Sequence, residues 1–328
     1  MRRLVFLPIA AAALVPAACA RSPSQLDTGG ADAGDAAIDG LVLDSTADTG
    51  TGPGVIDAPV EATGPTAQLR IANWSPDAPA AGYDVCVAAH GTSSWRGPLL
   101  AQTIGDAGVL GDSGMPSIQF PGVTNYVIGV PPGTYDVAVV DAGAGCAAPA
   151  ATATDLPALV VSGWYTMAIM GDTSPTGGDP ALSVVVLADD STATVGAAVR
   201  FLDMAPSVAS ADFGAGTLDA GFVPLAIDVP FAKLTTVAAG DGGALPDPGG
   251  YVGVFPPSSI ALSAHASTGA MGDTAVAPNQ SFAAGAVITV ALVGGKTGGA
   301  RAQLLVCTGD GVVNESDGLY SGCVVASM

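Results

Sequence analysis

Ser75 and Asp77, two positions apart in the segment SPDAP, are the first side chains in this sequence with the makings of a reaction. A serine hydroxyl and a carboxylate are two of the three parts of a nucleophilic triad. The third part, an imidazole base, has only two sources, His90 and His265, and neither sits in a recognisable catalytic motif. The same five residues also read as a corner between two strands. Pro76 and Pro79 fix φ and remove backbone donors, and Ser75 and Asp77 offer acceptors to neighbouring N–H groups. The corner is the expected reading, and no residue is assigned a catalytic role.

Three tryptophans, Trp74, Trp95 and Trp164, could stack on sugars, but core or edge packing is the expectation for at least one or two of them. Trp95, in the polar loop HGTSSWRG, is expected to be the most exposed and is the one candidate for ligand contact. Asp310, Asn314, Glu315 and Asp317 carry oxygens that could hold Ca²⁺, yet their spacing fits no known loop, so a solvated acidic turn is expected. The N-x-S triplets at Asn73, Asn279 and Asn314 read as coincidence beside a bacterial-style export signal. With no C-x-x-C, no metal site and no cofactor are expected.

The chain has five cysteines. If Cys19 is lipidated or removed with a leader, Cys86, Cys146, Cys307 and Cys323 remain, an even number that suits an oxidising compartment. Three pairings are possible. Cys86 with Cys146 and Cys307 with Cys323 is preferred, because each bond then stays within one half of the chain or its tail.

Composition narrows what could carry these residues. Gly 45 and Pro 25 in 328 residues disfavour helices, and aromatic residues at 5% leave Val, Leu, Ile and Ala to build the cores. A formal charge of −20 with nine Lys and Arg removes the clustered cations that phosphate-backbone binding needs, which excludes nucleic acid as a partner. The same charge repels anionic membranes.

Arg2 and Arg3, an apolar run over residues 4–15 and small residues up to Ala20 have the pattern of an export signal, residues 1–20. Ala17-Ala18-Cys19 resembles the end of a lipoprotein signal, with Cys19 as the lipidated residue. Ala18-Cys19-Ala20 also reads as an ordinary A-x-A site that would leave Arg21 first. Residues 21–66, rich in Asp, Gly, Ala and Thr and without aromatics, are expected to be a disordered acidic linker.

Beyond it, short apolar runs alternate with turn clusters. LRIAN and YDVCVAA flank the SPDAP corner. YVIGV, PPG and TYDVAVV read as a hairpin-like pair with Tyr135, Val137 and Val139 on one face. WYTMAIM and ALSVVVL complete the set. Four blocks return in order: VRFLD with APS near residue 205, YVGVFPP at 251–257, SFAAGAVITVALVGGKT at 281–297, and QLLV at 303–306. This is an internal duplication. Short strands with Gly and Pro punctuation predict an all-β chain of antiparallel sandwiches or barrels, with one β-sandwich domain over residues 67–192, a second over 193–310, and a tail over 311–328 closed by a disulfide.

The blocks 75–79 (SPDAP), Asp84-Val85, 130–135 (VPPGTY) and 162–167 (SGWYTM) resemble the bacterial domain-of-unknown-function family 4397, strongly in the first copy and loosely in the second, where SPDAP has become APSVA. The resemblance implies two tandem immunoglobulin-like antiparallel β-sandwich domains on an exported protein, and it carries no catalytic residue. The expectation is a non-enzymatic cell-envelope or surface protein: an outer membrane lipoprotein, a cell-surface protein or a secreted one. Its partner would be an unknown envelope or extracellular protein or a glycan, and it would touch membrane only through an N-terminal lipid. A carbohydrate-binding accessory module using Trp95 is the alternative, and a hydrolase with an unfamiliar site comes third.

Overall fold

Residues 67–73 (AQLRIAN) alternate between two faces, and both faces are covered by protein. In the computed structural model, residues 65–101, 117–126, 128–175, 177–189, 196–236, 246–254, 259–268, 274–297, 301–308, 310 and 323–326 are described. The segment forms strand β1 (Ala67–Asn73), whose Leu69 and Ile71 enter one core while Ala72 enters another. The export signal, Cys19, residues 21–64 of the linker, and Asn314, Glu315 and Asp317 lie outside the described residues.

Two sandwiches result, built by the same rule. In the first, β2 (Tyr83–Ala89), β4 (Tyr135–Asp141) and β5 (Ala151–Ala153) form one sheet in the order β2-β4-β5. The other sheet joins β3 (Ile128–Val130), β1, β6 (Trp164–Met170) and β7 (Ser183–Ala188) in that order. In the second, β9 (Ser210–Ala215), β10 (Val223–Pro230), β12 (Ile260–Ala266) and β13 (Ala275–Gln280) form the sheet β10-β9-β12-β13. Its partner sheet, β11-β8-β14-β15-β16, uses β8 (Ala197–Asp203), β11 (Tyr251–Val254), β14 (Val287–Val293), β15 (Gln303–Thr308) and β16 (Cys323–Val325).

Among the named strands, pairing is antiparallel except at one place in each half, where β1 runs parallel to β6 and β8 parallel to β14. The registers match: Arg70 lies opposite Thr166, and Arg200 opposite Thr289. The duplication read from the sequence is therefore repeated in three dimensions: β1 to β7 match β8, β9, β11, β12, β13, β14 and β15 in order, while β10 and β16 have no counterpart among the described strands of the first half.

Two corrections concern connections. The Pro131-Pro132-Gly133 turn does not close a hairpin, because β3 pairs with β1 in one sheet and β4 with β2 and β5 in the other. It carries the chain across the sandwich, as the SPDAP corner does between β1 and β2. The tail also supplies a strand, since β16 pairs with β15 and extends the sheet.

Each sandwich has its own core. Leu69, Ile71, Val85, Val137, Val139, Met167 and Ile169 fill the first; Val199, Phe201, Phe213, Leu262, Ile288 and Val290 fill the second. Tyr135 packs against the first core on the face it shares with Val137 and Val139. A third apolar cluster joins the halves: Ala72, Trp74, Ala168, Met170 and Leu187 meet Leu202, Met204, Ala291, Val293 and Leu305. The β1 and β8 sheets thus lie back to back with both faces covered. That explains why β6 (WYTMAIM) and β14 (VITVALV) read as nearly continuous apolar runs. Each large side chain buried there contributes about 1.5–3 kcal/mol, so this seam is a cohesive core.

Among the described residues, no helix is long and apolar enough to cross a membrane.

Candidate functional site

The side chains with chemical potential collect where the two halves meet. Arg70, on the face of β1 opposite Leu69 and Ile71, donates from Nε to Thr166 Oγ1 at 2.7 Å and from Nη2 to Asp310 Oδ1 at 2.5 Å. Arg200, its counterpart on β8, donates from Nη2 to Asp189 Oδ1 at 2.7 Å and from Nε and Nη2 to Thr289 Oγ1 at 3.2 and 2.9 Å. Each half's arginine therefore reaches the aspartate that follows the other half's sheet.

The second oxygens of the two aspartates are taken up at home. Asp189 Oδ2 accepts from Thr166 and Tyr126, each at 2.7 Å, and Asp310 Oδ2 accepts from Thr289 at 2.5 Å and Tyr251 at 2.9 Å. Both guanidinium groups lie over a tyrosine ring, Arg70 at 5.0 Å from Tyr126 and Arg200 at 4.7 Å from Tyr251. Arg70, Arg200, Asp189 and Asp310 are all buried. Burial opposes the charge on Arg70, but Asp310 and Asp189 outweigh it and hold the group protonated well above its usual value. Arg200 behaves in the same way beside Tyr251, Asp189 and Asp310. A reciprocal set of this kind fixes how the sheets dock, because displacement in any direction leaves a buried charge without its partner.

Asp310 is thus a buried ion-pair partner of Arg70 and a hydrogen-bond acceptor for Thr289, not part of a solvated acidic turn. Sequence reasoning also missed Arg70 and Arg200, since LRI and VRF both read as half-buried strands with arginine outward. The available signal was their recurrence at one position of both copies in a chain with nine basic residues.

A second cluster lies at the SPDAP corner. Ser75 is buried, and its Oγ donates to the Gly171 carbonyl at 2.9 Å and lies 3.2 Å from Asp77 Oδ1. Asp77 accepts from the Thr173 backbone N–H at 3.1 Å on both oxygens and from the Thr173 hydroxyl on Oδ2. Lys296, which follows β14 in the second half, donates from Nζ to Asp77 Oδ2 at 2.9 Å and to Asp172 Oδ1 at 2.7 Å. Burial alone would push the Asp77 carboxyl up, but hydrogen bonds with Asp172, Thr173 and Lys296 outweigh it and hold it well below the usual carboxylate range. The bonds to Asp172 and Asp77 raise the lysine in turn.

Neither histidine meets Ser75. His90 Nδ1 pairs with Asp136 Oδ1 at 2.7 Å on an exposed edge, and the bond raises the imidazole and lowers the carboxylate. His265 Nε2 lies 3.4 Å from Asp212 Oδ2, with its ring 4.6 Å from that of Phe222. Ser75 and Asp77 are therefore not joined to an imidazole, and their bonds are those of a corner that also docks the second half through Lys296.

The tryptophans do not share a platform. Trp74 is buried in the seam between the halves, and Trp164 packs edge-on to Tyr126 at 4.9 Å. Trp95 is half-buried rather than freely exposed, and lies with Cys146 and Ala144 against Cys86, Ala138 and Val140. The cysteines are joined as Cys86–Cys146, across 60 residues, and Cys307–Cys323, across 16 residues on facing positions of β15 and β16. On the chain-entropy relation such loops contribute about 4 and about 3 kcal/mol. Among the described residues, no group of three or more His, Cys, Asp or Glu side chains could hold a metal ion.

No protein-family model matches the chain, and no curated protein sequence matches it.

Proposed function

We propose that the chain is a non-enzymatic, exported bacterial envelope or surface protein, in which two β-sandwiches act as one rigid body for binding or for a structural role. The observation that carries the reading is the pair of disulfides, Cys86–Cys146 and Cys307–Cys323, in a chain that opens with an export-type sequence. The buried arginine and aspartate exchange supports it further. Those residues spend their hydrogen-bonding capacity on one another, as befits a scaffold. The finer reading keeps the resemblance drawn from the sequence: immunoglobulin-like domains over residues 67–192 and 193–310, and an outer membrane or cell-surface lipoprotein lipidated at Cys19.

Intact mass of the native protein tests this. Diacylglyceryl on Cys19 is the expected result, and a chain starting at Arg21 would mean a secreted protein. A chain that retains Met1 and four free thiols would contradict export. Carbohydrate binding through Trp95 is disfavoured by its packing against the disulfide, and a glycan array is expected to give no signal that Trp95→Ala removes.

A further inference from the structure

We propose that Lys296, Asp77 and Asp172 form a self-acting cross-linking site, at which Nζ of Lys296 is joined to Cγ of Asp77 by an amide bond while Asp172 carries the proton. Three features carry this. The amine already touches both carboxylates, at 2.9 and 2.7 Å. The site is largely withdrawn from water, with side-chain exposures of 18% for Lys296, 17% for Asp77 and 0% for Asp172. Finally, Asp172 Oδ2 is buried and has no hydrogen-bond partner among the described residues, so an enclosed carboxyl beside the amine keeps an oxygen that none of them occupies.

An enclosed carboxyl next to a lysine–aspartate pair is what a condensation needs, because it can accept a proton from nitrogen and return it to oxygen. In the resting pair the ammonium holds three protons and Asp77 is a carboxylate. One proton passes from Nζ by way of Asp172 to Oδ2 of Asp77, which sets a neutral amine against a neutral carboxyl, and the nitrogen lone pair attacks Cγ. Negative charge gathers on Oδ1, where the Thr173 N–H and the Ser75 hydroxyl stand. Asp172 then takes a second proton from nitrogen and passes it to Oδ2. The Cγ–Oδ2 bond then breaks and water leaves. One proton stays on the amide nitrogen and two depart in the water, the opposite charges cancel, and Asp172 returns to its starting state. No oxidant or further reactant is required.

The same condensation between free groups in water runs towards hydrolysis. Here fixed proximity, worth an effective concentration of about 10⁵–10⁸ M in well-oriented intramolecular reactions, opposes that tendency. The ion pair keeps the amine charged at rest, which makes the step slow, but it has to occur only once per molecule.

The product ties the first sandwich to the second beside their shared seam. It is one-sided, since Thr173 occupies in the first half the place that Lys296 has in the second, two residues after the glycines Gly171 and Gly294. The duplication has thus diverged at this position in a way that makes a bond across the halves possible.

Intact mass of the purified full chain, with the N-terminus and disulfides assigned, tests the proposal against Lys296→Arg, Asp77→Asn and Asp172→Asn. The wild type is expected to be lighter than its sequence by one water, and to release on proteolysis a branched peptide joining Lys296 to Asp77. Lys296→Arg and Asp172→Asn should have their full masses. Asp77→Asn should be lighter by one ammonia, the leaving group of a carboxamide, and should give the same branched peptide, which separates the cross-link from cyclisation onto the backbone at that position. Full mass in the wild type with an unbranched Lys296 peptide would overturn the proposal, as would a loss of water that persists in Lys296→Arg. A branched peptide in Asp172→Asn would overturn the role of Asp172.

Discussion

Replacing Asp203 by asparagine should remove a pH-dependent weakness from the second sandwich. Asp203 ends β8 at the position that Asn73 has at the end of β1. Both accept a backbone N–H two residues on, from Ser75 at 3.2 Å and from Ala205 at 3.0 Å. The other atom differs: Asn73 Nδ2 donates to the Ile118 carbonyl at 2.9 Å, whereas Asp203 Oδ2 is buried with no hydrogen-bond partner among the described residues. Burial pushes the Asp203 carboxyl up from 3.8 to about 8, against the small opposing effect of the Ala205 N–H.

The sign follows from proton counting. Between pH 4 and 8 the folded chain keeps a proton on Asp203 that the unfolded chain has released, so stability falls as pH rises, by about 1.4 kcal/mol per pH unit, and levels off above pH 8. Asparagine cannot ionise. An unmatched buried amide costs about 1–3 kcal/mol at every pH and so drops out of the comparison between two pH values. The measurable quantity is therefore the change in the gap: between pH 5 and pH 8, Asp203→Asn should gain about 4 kcal/mol relative to wild type. Urea unfolding with disulfides intact, at one-unit steps from pH 5 to 9, reads it directly. A gap that stays constant across that range would refute the assignment of a buried, raised carboxyl.

The arginine exchange makes a prediction of opposite character. Asp310→Asn or Asp189→Asn strands a buried guanidinium and should cost about 3–5 kcal/mol, while Arg70→Met combined with Asp310→Leu should cost much less, as a chemical-denaturation series would register. Replacing both Cys86 and Cys146 by serine opens the longer loop and should lower unfolding free energy by about 4 kcal/mol, read by the same method under non-reducing conditions.

Much of the architecture was legible because alternation and turn chemistry agree. TYDVAVV and WYTMAIM became β4 and β6, and the order of repeated blocks gave the duplication. Elsewhere the local signal was weak or misleading. β10 (VPLAIDVP) carries two prolines and two register shifts, so its alternation is broken. The PPG turn resembles a hairpin connection locally, and only the sheet partners of β3 and β4 show that it crosses the sandwich.

The clusters between the halves were hidden for a different reason. Arg70 and Arg200 look outward on any single strand, and Asp189 and Asp310 look like loop acids. What buries them is a second sheet bearing the complementary groups: Arg70 and Asp310 are 240 residues apart, and Asp189 and Arg200, though 11 apart, belong to different halves, so the pairing leaves no local mark beyond repetition. Lys296 sits in GGKTGG, which reads only as a loop, and its two carboxylate partners come from the other half.

Differential scanning calorimetry of the full chain with its disulfides intact tests most directly whether the two sandwiches are one body. A shared apolar seam and a reciprocal buried ion-pair set predict a single transition whose calorimetric and van't Hoff enthalpies agree. Two resolved transitions in the wild type, each unaffected by Asp189→Asn, would contradict the account.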